Sequence, residues 1–275
     1  MSKHFPKISI VTPSYNQGQF LEKTILSVLQ QKYPNLEYII IDGKSTDSSL
    51  QIIKKYQKHL TFWQSKKDSG QANALNIGFK HATGDILCWL NSDDILLPHS
   101  LALVSKLFSQ YPHLDWLTSQ STIINKDDEI IQSGLHFGKV PLFLRLGLYH
   151  GKCLGFIPQE GTFWRQSLWK KSEAKIPNRH YCLDFELWRR FAKYSPLVTL
   201  EAPLASFRHH SQQKTSAMKK YYQEIHPLLP YIPRFVGIIG RIINPFLRRL
   251  CPRIYFNKLN YQWTYHPGIS TYQIK

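Results

Sequence analysis

The chain is short of cysteine, of acid and of long apolar runs. Its four cysteines, Cys88, Cys153, Cys182 and Cys251, lie far apart with no CxxC spacing. That excludes a zinc ribbon, and nothing beside them suggests a disulfide framework. The expectation is a reducing, cytoplasmic setting in which the thiols are ordinary packing residues. No run of 18 apolar residues occurs, so no spanning helix is expected. The stretch "MSKHFPKISIVTP" lacks the apolar h-region of a secretory signal. Internal repeats and low-complexity segments are also missing.

Acid is scarce: 18 Asp+Glu face 35 Lys+Arg, a net charge of +17 over 275 residues. Such a balance favours an anionic partner, whether phosphates, nucleic acid or an anionic membrane surface. The shortage is sharpest after Ala205, where eleven Lys/Arg stand against a single acid, Glu224. That tail carries +10 and leaves +7 for the first 204 residues. What the chain does have is apolar surface. Hydrophobic residues make up 43% of it, enough for a substantial core in one large domain or one domain with an appendage.

Hydrophobic patterning alternates between two periods over the first 110 residues. "KISIVTPSYN" reads as a strand stopped at Pro13, and Tyr38 to Ile41 within "LEYIIIDGKSTDSS", "LTFWQSK" and "GDILCWLNSDD" read as three more. Between them, residues 18–31, 48–60 and 69–83 have helical spacing, and Pro98 is expected to start a further helix to about Gln110. Strand–helix alternation of this kind predicts a parallel, doubly wound α/β sheet, whose ligands bind beyond the carboxyl ends of the strands. After residue 115 the pattern changes to a hairpin turning near Lys126–Asp128, a helix over "HYCLDFELWRRFAKY" and a late strand over "LVTLEAPLASFRHHS".

In the tail, Phe235, Ile238, Ile239, Ile242 and Phe246 recur at helical spacing, and Arg234, Arg241 and Arg248 every seven residues. A basic amphipathic helix suits an anionic membrane surface. It is equally what a helix packed on the domain with its arginines in water would show.

Four polar clusters fall where such a sheet keeps its chemistry. Asp42, directly after a buried strand, could accept from a ribose hydroxyl or a base N–H, or simply form an Asp-Gly turn. "NSDD", Asn91–Asp94, ends an apolar strand in two carboxylates. These suit a divalent cation on a diphosphate, or an N-cap for the next helix. Asp184, at the start of an amphipathic helix, is a general-base candidate or a dipole-compensating acid. "FRHHSQQKT" sets two histidines beside Arg208 and Lys214, which reads as a phosphate clamp with a further metal ligand or as an exposed polar loop.

The order of these segments resembles a family 2 glycosyltransferase over about residues 7–215. "SIVTPSYNQGQF…YIIIDGKSTDSS", "KDSGQANALNIGFKHATGDILCWLNSDD" and "DFELWRRFA" carry the likeness. The resemblance implies a GT-A (Rossmann-like) fold, a mostly parallel sheet with helices on both faces. A nucleotide-binding half over 1–110, an acceptor half over 111–215 and a basic amphipathic helical extension over 216–275 are expected.

The resemblance also implies an inverting sugar transfer from a nucleotide-diphosphate sugar to a glycan or lipid-linked hydroxyl acceptor. Asp184 would be the catalytic base. Thr12, Pro13, Tyr15, Asp42, Asp68, Asn73, Asn91, Ser92 and Lys214 would meet the donor. Asp93 with His210 would hold a divalent metal, Mn²⁺ or Mg²⁺, and Thr215 would belong to the same late motif as His210 and Lys214. By position, Gln159, Glu160 and Trp164 are expected to line the acceptor side.

Three residues depart from the pattern: Asn91 and Asn73 stand where Asp is common, and Lys44 where Gly is common. Cell-surface polysaccharide synthesis on the inner face of the membrane is the expected setting. Two alternatives fit less well. A sugar nucleotidyltransferase needs a basic phosphate loop, and "TPSYNQGQF" has no Lys or Arg. A nucleic-acid-binding protein needs a recognisable module, and none is present.

Overall fold

The computed structural model describes residues 5–134, 138–211, 213–230 and 234–268. In chain order the elements begin β1 (Ile8–Ser14), α1 (Gly18–Leu29), β2 (Leu36–Asp42), α2 (Ser49–Tyr56), β3 (Phe62–Ser65), α3 (Gln71–His81) and β4 (Ile86–Trp89). A two-residue strand β5 (Ile95–Leu96), α4 (Ser100–Gln110), β6 (Trp116–Ile124), β7 (Ile130–Gly134) and α5 (Pro141–Arg145) follow. Then come β8 (Thr162–Arg165), α6 (Gln166–Lys171), α7 (Leu183–Phe191), β9 (Val198–Arg208), α8 (Met218–Ile225), α9 (Arg234–Leu247), β10 (Arg253–Asn257) and β11 (Gln262–His266).

One mixed sheet carries all the strands, in the order β11-β10-β9-β6-β8-β4-β1-β2-β3, with β5 on β9 and β7 on β6. β8 runs antiparallel to both of its neighbours, β4 and β6. With the parallel pairings of β1, β2, β3, β4, β6, β9 and β10, those seven strands therefore all point one way. The loops after β1, β2, β4 and β9 thus open on one edge. The reversed β8 brings the residues just before it, Gln159 and Glu160, to that same edge.

Strand alternation divides the core into two layers. Ile8, Ile10, Tyr38, Ile40, Ile86 and Cys88 face α1, α2 and α4. Val11, Ile39, Ile41, Leu87 and Trp89 face α3, α5, α6 and α7. The second layer is an aromatic stack in which Trp89 lies nearly parallel to Trp188 at 5.6 Å, with Trp116, Trp164 and Phe191 around them.

Three expectations change. Trp164 does not face the cleft. It lies inside β8, fully buried and edge-on to Trp89, because the strand period turns position 164 into the aromatic layer. The helix expected from Pro98 starts at Ser100, after β5. The tail is not helical throughout: α8 and α9 are helices, but "RIYFN" and "QWTYH" alternate with a period of two and form the β10–β11 hairpin. β10 pairs with the start of β9, so the tail extends the main sheet. The side chains of Arg234, Phe235 and Thr215 lie outside the described residues. Among those described, no helix is long and apolar enough to cross a membrane, and Cys88, Cys182 and Cys251 are free thiols.

Candidate active site

The loops after β1 and β2 are tied together by side chains on backbone groups. Asn16 N–H donates to Ser45 Oγ (2.8 Å), Gly18 N–H to Asp47 (2.8 Å) and Gln17 N–H to Ser49 Oγ (3.1 Å), while Thr46 N–H donates to Asn16 Oδ1 (2.9 Å). Asn16 and Lys44 adopt left-handed conformations, φ 51° and 66°. The second explains why glycine suits position 44: only glycine takes that conformation without a Cβ penalty of about 1–2 kcal/mol, which Lys44 bears.

Asp42 organises this loop. Its carboxylate accepts from Ser45 N–H (3.0 Å), Ser45 Oγ and Ser65 Oγ (2.6 Å), and it is fully buried. It therefore does not face the cleft as expected. Thr12 is likewise interior to β1, its hydroxyl 3.2 Å from that of Tyr38, and so cannot touch a donor. Pro13 is buried beside it. Tyr15 is 63% exposed at the mouth of the groove. A Cβ added at Gly43 would lie 3.2 Å from both Tyr15 and Asp68, so the glycine lets the two approach. Asp68 accepts from Gly70 N–H (2.8 Å), and Asn73 is half-buried in the first turn of α3.

Beyond β4, Asn91 is the centre of an amide chain. Its Nδ2 donates to Asp94 Oδ2 (3.1 Å) and Gln159 Oε1 (3.0 Å), and its Oδ1 accepts from Gln71 Nε2 (2.8 Å). Gln71 in turn accepts from Lys214 Nζ (3.0 Å), and Gln159 donates to Trp89 O (2.7 Å). An aspartate at 91 would lose both donations and put another negative charge against Asp94, which explains the amide here. Ser92 is buried, its carbonyl held by Thr24 Oγ1 (3.0 Å).

The two adjacent aspartates divide. Asp94 is buried, accepts from Arg208 N–H (3.0 Å) and supports the turn. Asp93 keeps its carboxylate towards the cleft, 3.1 Å from His210 Nε2, while its carbonyl accepts from Arg208 Nε (2.8 Å). Arg208 is no phosphate clamp. It is fully buried, paired with Asp128 and stacked on Phe20, an inward anchor that holds the ends of β4 and β9 together.

Asp93 and His210 fit a hard divalent cation. Two neighbouring ligands of an octahedral ion at about 2.1 Å stand about 3 Å apart, and the Asp93 carboxylate is the ligand type that Mn²⁺ and Mg²⁺ prefer, with the His210 imidazole the softer partner. Among the described residues no third Asp, Glu, His or Cys completes a metal cluster.

Asp184 occupies the first turn of α7, half-buried in the cleft. Burial pushes its pKa up to about 6, against the backbone N–H groups of Phe185 and Asp184, which favour the anion. Glu160, buried, is pushed up to about 7 by burial and by the Asp184 charge, opposed by backbone N–H groups and Ser121. Burial, Asp93 and Glu160 raise Asp94 well above its ordinary value. These groups hold protons in the fold that the unfolded chain has lost. Their share of the stability therefore falls as pH rises from about 4 to about 7.

Sequence reasoning missed Glu224. From α8 it accepts the backbone N–H groups of His180 (2.7 Å), Tyr181 (2.7 Å) and Cys182 (2.9 Å), the loop that leads into α7 and Asp184. Burial alone would raise its pKa; those three donors bring it below the ordinary value. Its place as the only acid of a basic tail was the available signal. Glu224→Ala leaves three N–H groups unanswered, each worth about 1–3 kcal/mol if buried. We expect kcat to fall about tenfold, with faster hydrogen exchange confined to residues 178–186; unchanged exchange there would remove the clamp.

The model of the family described as glycosyl transferase family 2 matches residues 9–170. An uncharacterised glycosyltransferase of Rickettsia typhi is 26% identical over 234 residues, 81% of this chain and 70% of that protein. One of Rickettsia felis is 27% identical over 236 residues, 81% of this chain but 37% of that protein. Among solved structures, S. aureus TarS 1–349 in complex with UDP-GlcNAc superposes with a TM-score of 0.65 at 16% identity, covering 89% of this chain and 72% of TarS 1–349. A mannosyltransferase of Pyrobaculum calidifontis in complex with GDP-Man and Mn²⁺ superposes with a TM-score of 0.61 at 16% identity, covering 90% and 71%. These likenesses give the GT-A fold.

Proposed function

This chain belongs to glycosyl transferase family 2, and from that premise we propose that it transfers a hexosyl or N-acetylhexosaminyl group from a nucleotide-diphosphate sugar to a hydroxyl acceptor, with inversion. The observation that carries this reading is the meeting of Asp93, His210, Glu160 and Asp184 at one sheet edge, from four separate stretches of chain. Inversion needs a single in-line displacement: a base for the acceptor hydroxyl, a charge sink for the leaving diphosphate and a rigid frame. Asp184, held by the first turn of α7, takes the proton. Asp93 and His210 would hold the divalent cation, which supplies charge neutralisation to the departing diphosphate.

Lys214 adds positive charge on the donor side, between Gln71 and the His180 carbonyl (3.3 Å). Its pKa is lowered by burial, against the pull of Glu224 and Asp68. Tyr15 offers an exposed ring to the donor's base, with Asp68 and Asn73 along the same wall. Asn91 and Ser92 shape the diphosphate turn, and Gln159 and Glu160 form the acceptor wall. That the TarS and mannosyltransferase neighbours carry UDP-GlcNAc and GDP-Man supports a donor of this class.

The setting we propose is cell-surface or extracellular polysaccharide synthesis, with the acceptor a glycan or lipid-linked saccharide at the inner membrane face. Supporting it, α9 is inverted. Gly240, Asn244 and Leu247 turn inward, while Ile238 (57% exposed), Ile242 (63%) and Phe246 (69%) face outward with Arg241. A water-exposed face made of isoleucine and phenylalanine calls for a cover, and the basic tail suits an anionic lipid surface.

A thermal-shift screen of nucleotide-diphosphate sugars tests the donor reading. One donor should raise Tm by several degrees with Mn²⁺ and much less without it. No response to any such donor, or pyrophosphate release from a nucleoside triphosphate, would contradict it.

A further inference from the structure

We propose that a pocket between α8 and the turn over residues 150–155 receives a phosphate group carried by the acceptor. The proposal rests on the glycosyl-transfer reading above and gives its acceptor a chemical class: a saccharide bearing phosphate or diphosphate rather than a neutral one.

The pocket has a volume of about 640 Å³ and is lined by Lys152, Lys219, Tyr222, Gln223 and His226. Positions 219, 222, 223 and 226 stand three, four and seven residues apart, so α8 and the residue after it present them on one face. Tyr221 and Ile225 turn inward. Glu224 turns to a third side, where it accepts the backbone N–H groups of residues 180–182.

Lys152 is brought to this face by its turn. Gly151 and Gly155 are left-handed, φ 89° and 82°, and Gly151 N–H donates to Gly155 O (2.9 Å). A Cβ at Gly151 would lie 2.3 Å from the Phe156 ring and 2.8 Å from the Tyr222 hydroxyl, so only glycine lets the turn press on α8. Two further bonds fix it. The Lys152 N–H donates to the Tyr222 hydroxyl, and Arg241 of α9 donates to the Lys152 carbonyl (2.8 Å). The Lys152 ammonium then sits 4.0 Å from the centre of the Tyr222 ring.

Positive charge here has no acid to answer it. Among the described residues, no carboxylate pairs with Lys152, Lys219, His226 or Arg241. The neighbouring His150 is held below its ordinary pKa by burial and by the charges of Lys152 and Arg241. Ammonium groups around an open pocket make charge-assisted hydrogen bonds to an anionic oxygen group, and these are the strong ones.

Position assigns the pocket to the acceptor. Tyr221 packs against Tyr222 with ring centres 5.4 Å apart, and its hydroxyl is pushed up by burial and then by the Asp184 charge. One tyrosine thus links the pocket wall to the general base. The donor-side lysine, Lys214, instead meets Gln71 and the His180 carbonyl.

The test is calorimetry on the full chain, with EDTA present so that no cation holds a diphosphate at Asp93. The probes are farnesyl diphosphate, a glycerol phosphate trimer, inorganic phosphate and farnesol. Wild type should bind farnesyl diphosphate or the trimer, and farnesol not at all. Preference for the first assigns a lipid-linked diphosphate, and preference for the second a phosphodiester glycan. The double variant Lys152→Gln/Lys219→Gln should lose about tenfold or more in that affinity. Lys220→Gln, one residue along on α8, should stay within about twofold of wild type. Both substituted lysines of the double variant are exposed, so its Tm should stay within about 2 °C of wild type.

Equal affinity in wild type and the double variant would overturn the pocket, as would binding of inorganic phosphate alone. The donor thermal-shift screen on the same proteins separates this from the reading beneath it. A donor response kept in both proteins leaves glycosyl transfer standing whatever the probes do. No donor response in wild type would overturn the transfer reading and the acceptor role with it.

Discussion

Asp184→Asn lowers kcat by about 10³-fold while leaving the dissociation constant of the donor nucleotide within about twofold. The size follows from general-base catalysis, which contributes 10²–10⁴-fold. The selectivity follows from the structure. Asparagine has the same shape, and its carbonyl oxygen can keep the backbone N–H groups of Asp184 and Phe185 that favour the carboxylate. Only the ability to take a proton is lost. Glu160 is the competing base, yet it is 5% exposed and its pKa lies higher, about 7. Single-turnover assays with nucleotide binding measured by calorimetry check this. Near-normal kcat in Asp184→Asn would move the role to Glu160.

Asp93→Ala is the second large effect: a loss of about 10²–10³ in kcat/KM, with Mn²⁺ no longer stimulating turnover. Removing a cation's hold on the leaving diphosphate withdraws several kcal/mol of transition-state stabilisation. The fold should survive, because Arg208 binds the Asp93 carbonyl and the Asp94 carboxylate accepts from Arg208 N–H, neither of which involves the Asp93 side chain. Unlike Asp184→Asn, this variant should also lose the Mn²⁺-dependent part of nucleotide affinity. Metal titration against nucleotide binding separates the two. Retained Mn²⁺ dependence in Asp93→Ala would place the cation elsewhere.

The strand–helix alternation of residues 7–110 was legible because buried parallel strands are near-continuous apolar runs and their helices have clean 3.6-residue spacing. The edge that carries Asp93 was legible for the same reason, since the end of β4 points to it. Three readings failed where short-range pattern says nothing about which face a residue takes. Trp164 stands two positions past the loop and turns into the aromatic layer. Thr12 and Asp42 are polar residues satisfied inside the protein, by Tyr38 and by Ser45 and Ser65. Glu224 lies 40 residues from the base it supports, a contact that only the packing of α8 creates. The tail looked helical because α9 dominates its hydrophobic pattern, which hid the alternation over 253–266.

The account turns on Asp184 accepting a proton, and the pH–rate profile of donor turnover tests that most directly. Its pKa is raised to about 6 by burial, and the unprotonated form is the active one. We predict that kcat/KM rises with pH, tenfold per unit, up to a bend near pH 6, and that the residual activity of Asp184→Asn lacks this bend. A bend near pH 6 that persists unchanged in Asp184→Asn would contradict the assignment.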